Sequence, residues 1–407
     1  MKAGRARGWG PALLLLACGV FAATQIGKLP PAIPALREAF GSTLLEMGWL
    51  ASIFNAISAA CGLIAGWVAD RLGRRVLLKI GLVALGVGAL GGAMADSLAW
   101  LYPTRVLEGL GFLCIVVSAP ALVREAVGPA NHRLALGIWS CYTSVGMAVM
   151  LLLSPVLLAT FGWRSGWWLG ACGAAAFAAA ALLVFPGRGA VLPPAQGSPG
   201  LFHGLGDAVP WCLAACFGLY TLQWMALAVW MPTFLLDTAG LSLASTAAVV
   251  ALMVFVNAPG NVLGGWLSQR RWPLLVLVLV PAVAMGILGW AVYALPMPLE
   301  ARVALCVVFS LIGGVLPASI YAAVPAVSAR HDNLGAVNGL VVQASNIGTL
   351  AGPPLAAWLV TVGGWRAMAP LFLITSALSV ALAVWAVRAI GARGSPYVGA
   401  PDDQASI

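Results

Sequence analysis

Gly66-Trp67-Val68-Ala69-Asp70-Arg71-Leu72-Gly73-Arg74-Arg75 is a short charged break between two long apolar runs, 44–68 and 76–95. Each run is long enough to cross the ~30 Å hydrocarbon core of a bilayer as a helix. Gly66 lets neighbouring helices approach closely, and Gly73 permits a tight turn. Asp70 stands beside Arg71, Arg74 and Arg75. It can pair with an arginine or face the positive N-terminus of another helix. The other reading is a plain basic loop, whose arginines do no more than set the topology.

The same alternation of apolar run and short connector continues along the chain. Of 407 residues, 62% are apolar and 8% are charged, whereas soluble domains average about 25% charged. The lipid bilayer is therefore the solvent for most of the surface. Twelve spans are predicted, at 11–35, 44–68, 76–95, 98–122, 134–159, 165–186, 208–235, 243–268, 273–295, 300–327, 335–360 and 367–389, which makes an all-α membrane protein. The Pro- and Gly-rich stretch 187–207 cannot be a span. It divides the chain into two six-helix bundles, 1–186 and 208–390, and a polar tail, 391–407, is expected to be disordered.

The formal net charge of +9 sits in loops and carries no basic stripe with interleaved aromatics. It speaks for topology and against nucleic acid as a partner. With both termini placed in the cytoplasm, 15 of the 21 basic residues fall on inner segments and four, Arg37, Arg164, Arg302 and Arg366, on outer ones. The remaining two, Lys28 and Arg105, lie within spans. Lys2, Arg5 and Arg7 before an apolar run that holds Leu15-Leu16-Ala17-Cys18 imitate a cleaved leader, but the internal repeat needs that run as the first helix. The eight cysteines all lie in apolar runs and form no CxxC pair. They read as small buried residues, with no metal and no cofactor implied.

The repeat shows in sparse matches at a near-constant offset. Gly162-Trp163-Arg164 returns as Gly364-Trp365-Arg366, Gly137 and Gly146 as Gly339 and Gly348, Gly66-Trp67 as Gly265-Trp266, and Pro34 as Pro232. Two parallel halves with a solute site between them are a known transporter plan.

On these residues the chain resembles the major facilitator superfamily. Residues 66–75 are similar to its loop signature of Gly, then small-Asp-basic, then Gly-basic-basic. Arg105-Val106-Leu107-Glu108-Gly109-Leu110-Gly111 is similar to its RxxxGxG signature in helix 4. The resemblance implies twelve transmembrane helices in two pseudo-symmetric six-helix bundles. It also implies a cytoplasmic latch formed by Gly66, Asp70, Arg71, Gly73, Arg74 and Arg75. The second half keeps Gly265, Trp266, Arg270 and Arg271 but has Gln269 opposite Asp70, so its latch is expected to be weaker.

Three ionisable residues within spans are the candidate site, because such groups face a cavity or a partner. Glu108 is the only acid placed near the middle of a predicted helix. It is the candidate proton carrier, or else the local structural partner of Arg105 three residues away. Lys28 lies about 25 Å along the first helix and precedes Pro30-Pro31, where a kink should free backbone carbonyls. In this superfamily a buried cation there suggests an anionic substrate; the alternative is a lysine that snorkels to the outer interface. In the second half, Gln223, Trp224, Tyr321 and Asn346 are expected to line the cavity, with Asn257, Asn261 and Gln343 as further polar candidates, although each could instead bond a neighbouring helix.

Helix 5 lacks the GxxxGPxxGG run of drug/proton antiporters. Leu136-Gly137-Ile138-Trp139-Ser140, with Gly146 after it, instead resembles the cyanate and nitroimidazole transport branch. The arginines that nitrate porters carry in helices 2 and 8 are absent. No GxxxxGK[ST] loop is present, so ATP is not the direct energy source. No His or metal cluster in the spans suggests an enzyme. The expectation is a proton-coupled, monomeric transporter of the cell inner membrane that moves a small anionic solute, with Lys28 and Arg105 as counter-charges and Glu108 carrying the proton. Efflux of hydrophobic compounds and a membrane sensor are the other classes.

Overall fold

The computed structural model describes residues 8–187, 206–328 and 334–391. The described residues form no strand; they are almost entirely helical. The linker and tail predicted at 187–207 and 391–407 lie almost wholly outside the described residues, as do the surroundings of Gly66 and the side chain of Asp70.

The first half consists of α1 (Trp9–Phe40), α2 (44–72), α3 (Arg74–Ala93), α4 (Leu98–Ala126), α5 (132–161) and α6 (Ser165–Val184). The second consists of α7 (Ala208–Ala239), α8 (Leu243–Gln269), α9 (Leu274–Ala294), α10 (Leu299–Ser328), α11 (Leu334–Gly363) and α12 (Ala369–Gly391). Eleven segments are long and apolar enough to span a membrane. The twelfth helix, α11, is 30 residues long but carries Gln343, Asn346 and Pro353-Pro354. These polar residues and prolines dilute the apolar signal of a helix that packs against α2 and α7.

Several helices run longer than their apolar cores because polar caps define the ends. Gly41, left-handed at φ 60°, ends α1. Thr43 then opens α2 with a capping box: the Glu46 amide donates to Thr43 Oγ1 at 3.2 Å, and the Thr43 amide donates to Glu46 Oε2 at 2.8 Å. The second half copies this corner 199 residues on. Gly240, at φ 61°, ends α7, and Ser242 caps α8 by accepting from the Ser245 amide. The two Gly-Trp-Arg sites match as well, with Gly162 at φ 71°, ψ −178° and Gly364 at φ 67°, ψ −175°. The repeat read from a few letters is thus a repeat of caps and turns.

Within each half the apolar faces close on one another. Buried leucines of α3 and α4 and Trp139 of α5 pack around the N-terminal part of α1. The halves meet along three seams: the C-terminal part of α1 on α7, α2 on α11, and α5 on α8. Asn346 of α11 donates to the Ser58 carbonyl of α2 at 3.3 Å across one of them.

Candidate functional site

Two helices bring charge into the first half, and a third packs against them. α1 passes through Lys28 with right-handed dihedrals, φ −70° and ψ −28°. The predicted kink is therefore mild, because Pro30 and Pro31 fall in the first turn of the segment that resumes at Leu29, where a missing N–H costs least. α4 carries Arg105 and Glu108 on one face. α2 breaks into a 3-10 turn at Ile53–Asn55, directly against α4. A Cβ on Gly109 would lie 1.8 Å from the Phe54 carbonyl oxygen. Only glycine lets α4 reach the break in α2, which gives the first glycine of the RxxxGxG run a physical reason.

Between these helices lies a closed cluster of charge. Lys28 Nζ donates to Glu108 Oε1 at 2.5 Å and to Gln25 Oε1 at 2.8 Å. Arg105 Nη1 donates to Glu108 Oε2 at 2.5 Å and to the Gln25 carbonyl at 2.9 Å. Two cations share one carboxylate, and each carboxylate oxygen has its own partner. Lys28, Arg105 and Glu108 are 2%, 1% and 0% exposed. Aromatic faces complete the enclosure. Lys28 Nζ lies 4.5 Å from the Trp167 ring centroid of α6, and Arg105 Cζ lies 4.7 Å from that of Phe54. Such contacts favour a desolvated cation. A cavity of about 10 Å³ sits beside Lys28, near Ser154 and Ser165, with room for about one water.

This arrangement bears on the pairing of Glu108. The local pair with Arg105 exists, and it is one half of a larger cluster. Lys28 does not snorkel; its ammonium turns inward to a carboxylate 80 residues away in sequence. Sequence reasoning left Gln25 unassigned, although it stands three residues before Lys28 and so shares its helix face. Phe54, beneath Arg105, gave no sequence signal beyond being apolar.

The second-half candidates scatter. Trp224 Nε1 donates to Ser310 Oγ at 3.2 Å. Asn257 Nδ2 donates to the Tyr220 hydroxyl at 3.1 Å and to the Ser310 carbonyl at 3.0 Å. Gln223 is buried with Oε1 unpartnered, while Tyr321 is exposed, its ring edge-on to Phe217 at 5.4 Å. Asn346 spans the seam to α2. The structure does not bring these residues to the Lys28 cluster.

At the 66–75 turn, Gly73 takes φ 86° between α2 and α3. Arg75 Nη2 lies 3.8 Å from Glu125 of α4, and Arg71 and Arg74 are engaged as well. In the second half, Arg271 stands 198 residues after Gly73 and adopts φ 57°. The connection there is longer, from Gln269 to Leu274, and holds its positive φ on a non-glycine residue.

The Major Facilitator Superfamily description matches residues 15–304, which takes in both signatures and the whole charged cluster. The chain belongs to that superfamily. Among solved superfamily structures, a bacterial homologue of the human lysosomal transporter Spinster, inward-facing and occupied, superposes with a TM-score of 0.74. It shares 18% identity over 96% of each chain, so the likeness is one of fold. Human monocarboxylate transporter 11 is 27% identical over 86% of this chain and 77% of its own. The methyl viologen resistance protein SmvA of Salmonella typhimurium is 31% identical over 39% of this chain. The chain thus matches about a third of the length of that resistance protein, 32%.

Proposed function

We propose that the chain is a secondary active transporter of the cell inner membrane that moves a small organic or inorganic anion together with a proton by alternating access. Both termini are cytoplasmic and the monomer is the working unit. The observation that carries this reading is the charge balance of the cluster. With Glu108 ionised it holds two positive charges and one negative. A proton on Glu108 would leave Lys28 and Arg105 without their counter-ion, at a cost of several kcal/mol per uncompensated buried ion. A substrate anion restores the balance, so proton and anion are best accommodated together. The break at residues 53–55 links the cluster to the seam with α11, where the halves must part.

The second reading is efflux of hydrophobic or drug-like compounds; methyl viologen in the name of SmvA is a cation, and the charge balance weighs against a cationic substrate. Both Glu108 oxygens are held by cations, so no carboxylate in the cluster is free for a cationic substrate. The name of monocarboxylate transporter 11, which aligns with most of the chain, agrees with an anion.

Glu108→Gln tests the coupling in proteoliposomes. Gradient-driven accumulation of anion should be lost while substrate exchange persists, because glutamine keeps a hydrogen-bonding carbonyl but cannot cycle a proton. Accumulation at the wild-type level would remove Glu108 as the carrier.

A further inference from the structure

α11 and α12 each pack on α7, and a trough of about 800 Å³ lies between them. Its floor is α7 from Ala208 to Leu222, where Cys212, Ala215 and Gly218 keep the side chains short. Glycine also sets the seam beside it, since a Cβ on Gly348 of α11 would lie 2.0 Å from the Gly218 carbonyl oxygen. The walls are apolar. Ile347 of α11 and Leu378 of α12 line the trough and are exposed, so it opens on the lipid-facing surface. The duplicated fold does not require this space. At the offset that relates Pro34 to Pro232, Leu219 in the trough corresponds to Phe21. Phe21 packs on Phe177 of α6 at 5.0 Å, so the first half fills with two rings a position that the second half leaves to leucine.

Length and charge decide what fits there. From Ala208 to Leu222, α7 rises about 21 Å at 1.5 Å per residue, and one leaflet of hydrocarbon is about 15 Å deep. The trough therefore runs the depth of a leaflet. Cys216 of α7 bonds the Ser379 carbonyl of α12 at 3.4 Å, and the two spans run antiparallel, so Arg388 near the end of α12 stands level with the start of α7. Arg388 is exposed and follows Ala381 and Trp385, which line the trough, at the four- and three-residue spacing of one helix face. Asp207, at the start of α7, is held as the cap of its own helix, accepting from the Val209 amide at 3.1 Å. We infer that one acyl chain of an anionic phospholipid occupies the trough, with its phosphate on the Arg388 guanidinium. A basic residue at the membrane surface attracts anionic headgroups, and here it stands directly above an apolar channel of leaflet depth. On the orientation proposed above the leaflet is the cytoplasmic one; the site draws on nothing in the charged cluster.

Native mass spectrometry of the full-length protein, exchanged in detergent with equal amounts of phosphatidylglycerol and phosphatidylcholine of identical chains, tests this. One phosphatidylglycerol should be retained per protein, preferred about fivefold, as expected for one basic residue at an anionic headgroup. Arg388→Gln should bring that ratio to one, and Arg388→Lys should keep it. Ala381→Phe and Ala215→Phe fill the trough from two different helices, and each should lower retention of both lipids while anion exchange persists. Equal retention of the two lipids by the native protein, or a preference that survives Arg388→Gln, would overturn the assignment. So would retention unchanged in both filled variants. A native dimer that the filled variants split would make the trough an interface between copies and end the lipid assignment. The readout is lipid retained, not solute moved, so each of these results leaves the anion-transport reading standing.

Discussion

Lys28 and Glu108 bond to each other, yet their removal should have unequal consequences. Glu108→Gln takes away the one negative charge and leaves two cations, 2% and 1% exposed, facing a neutral amide. Removing one partner of a buried ionic group typically costs about 3–5 kcal/mol, because the charge left behind is uncompensated. Lys28→Met removes the surplus positive charge instead. Arg105 and Glu108 remain as a neutral pair at 2.5 Å, and the carboxylate loses only its contact at Oε1. An unsatisfied buried acceptor costs about 1–3 kcal/mol, and relief of the desolvated ammonium offsets part of this. The methionine stem also fills the space against Gly166, whose position lies against the Lys28 stem. Lys28→Met is therefore expected to cost under about 2 kcal/mol, well below Glu108→Gln. In the double variant Arg105 is the sole remaining charge, so the cost should fall between the two single values. Reversible unfolding in mixed micelles, read by tryptophan fluorescence, gives the three free energies and the coupling between sites. A Lys28→Met cost equal to or above that of Glu108→Gln would refute the charge accounting, and with it the argument that proton and anion must arrive together.

Further expectations follow from the turns and seams. Gly109→Ala places a methyl 1.8 Å from the Phe54 carbonyl, so α4 must withdraw from α2; overpacking of this kind costs about 1–3 kcal/mol or more, read as loss of folded protein by size-exclusion after mild heating. Arg271→Gly should stabilise by up to about 1 kcal/mol, since Arg271 holds a left-handed conformation that favours glycine; a lower midpoint in the same unfolding assay would count against the reading. Topology predicts that, in a cysteine-free background, Gly128→Cys is labelled by an impermeant thiol reagent only from the cytoplasmic side and Asp96→Cys only from outside; reversal of either would invert the model. Asp70→Asn should shift paired spin-label distances across the cytoplasmic face toward the open state, because a charge-assisted contact of about 1.5–3 kcal/mol at best is removed; an unchanged distribution in folded protein would end the latch assignment.

The fold was legible because a bilayer allows so few solutions. Apolar run length gives the spans, and Gly-Trp-Arg at an offset of 202 residues betrays the duplication. What the letters concealed was the chemistry of the ends. Thr43 and Ser242 differ in identity, yet both cap the second helix of their half. Arg271 takes a left-handed backbone, a conformational penalty that no sequence match would suggest.

At the site, the local relation was readable and the distant one was not. Arg105 and Glu108 are three residues apart, and helix geometry alone puts them in reach. Lys28 was recognisable as out of place in a span, but its partner could not be named, because nothing in α1 encodes which face of α4 it meets. That choice is made by Gly109, which brings α4 against the carbonyl of Phe54, and by Gly170 of α6, where a Cβ would lie 2.5 Å from Gln25 Oε1. The small residues that set the approach of the helices thus decide that two cations converge on one carboxylate. On the proposed reading of anion–proton coupling, the packing that sets two cations against one carboxylate is what links the proton to the anion.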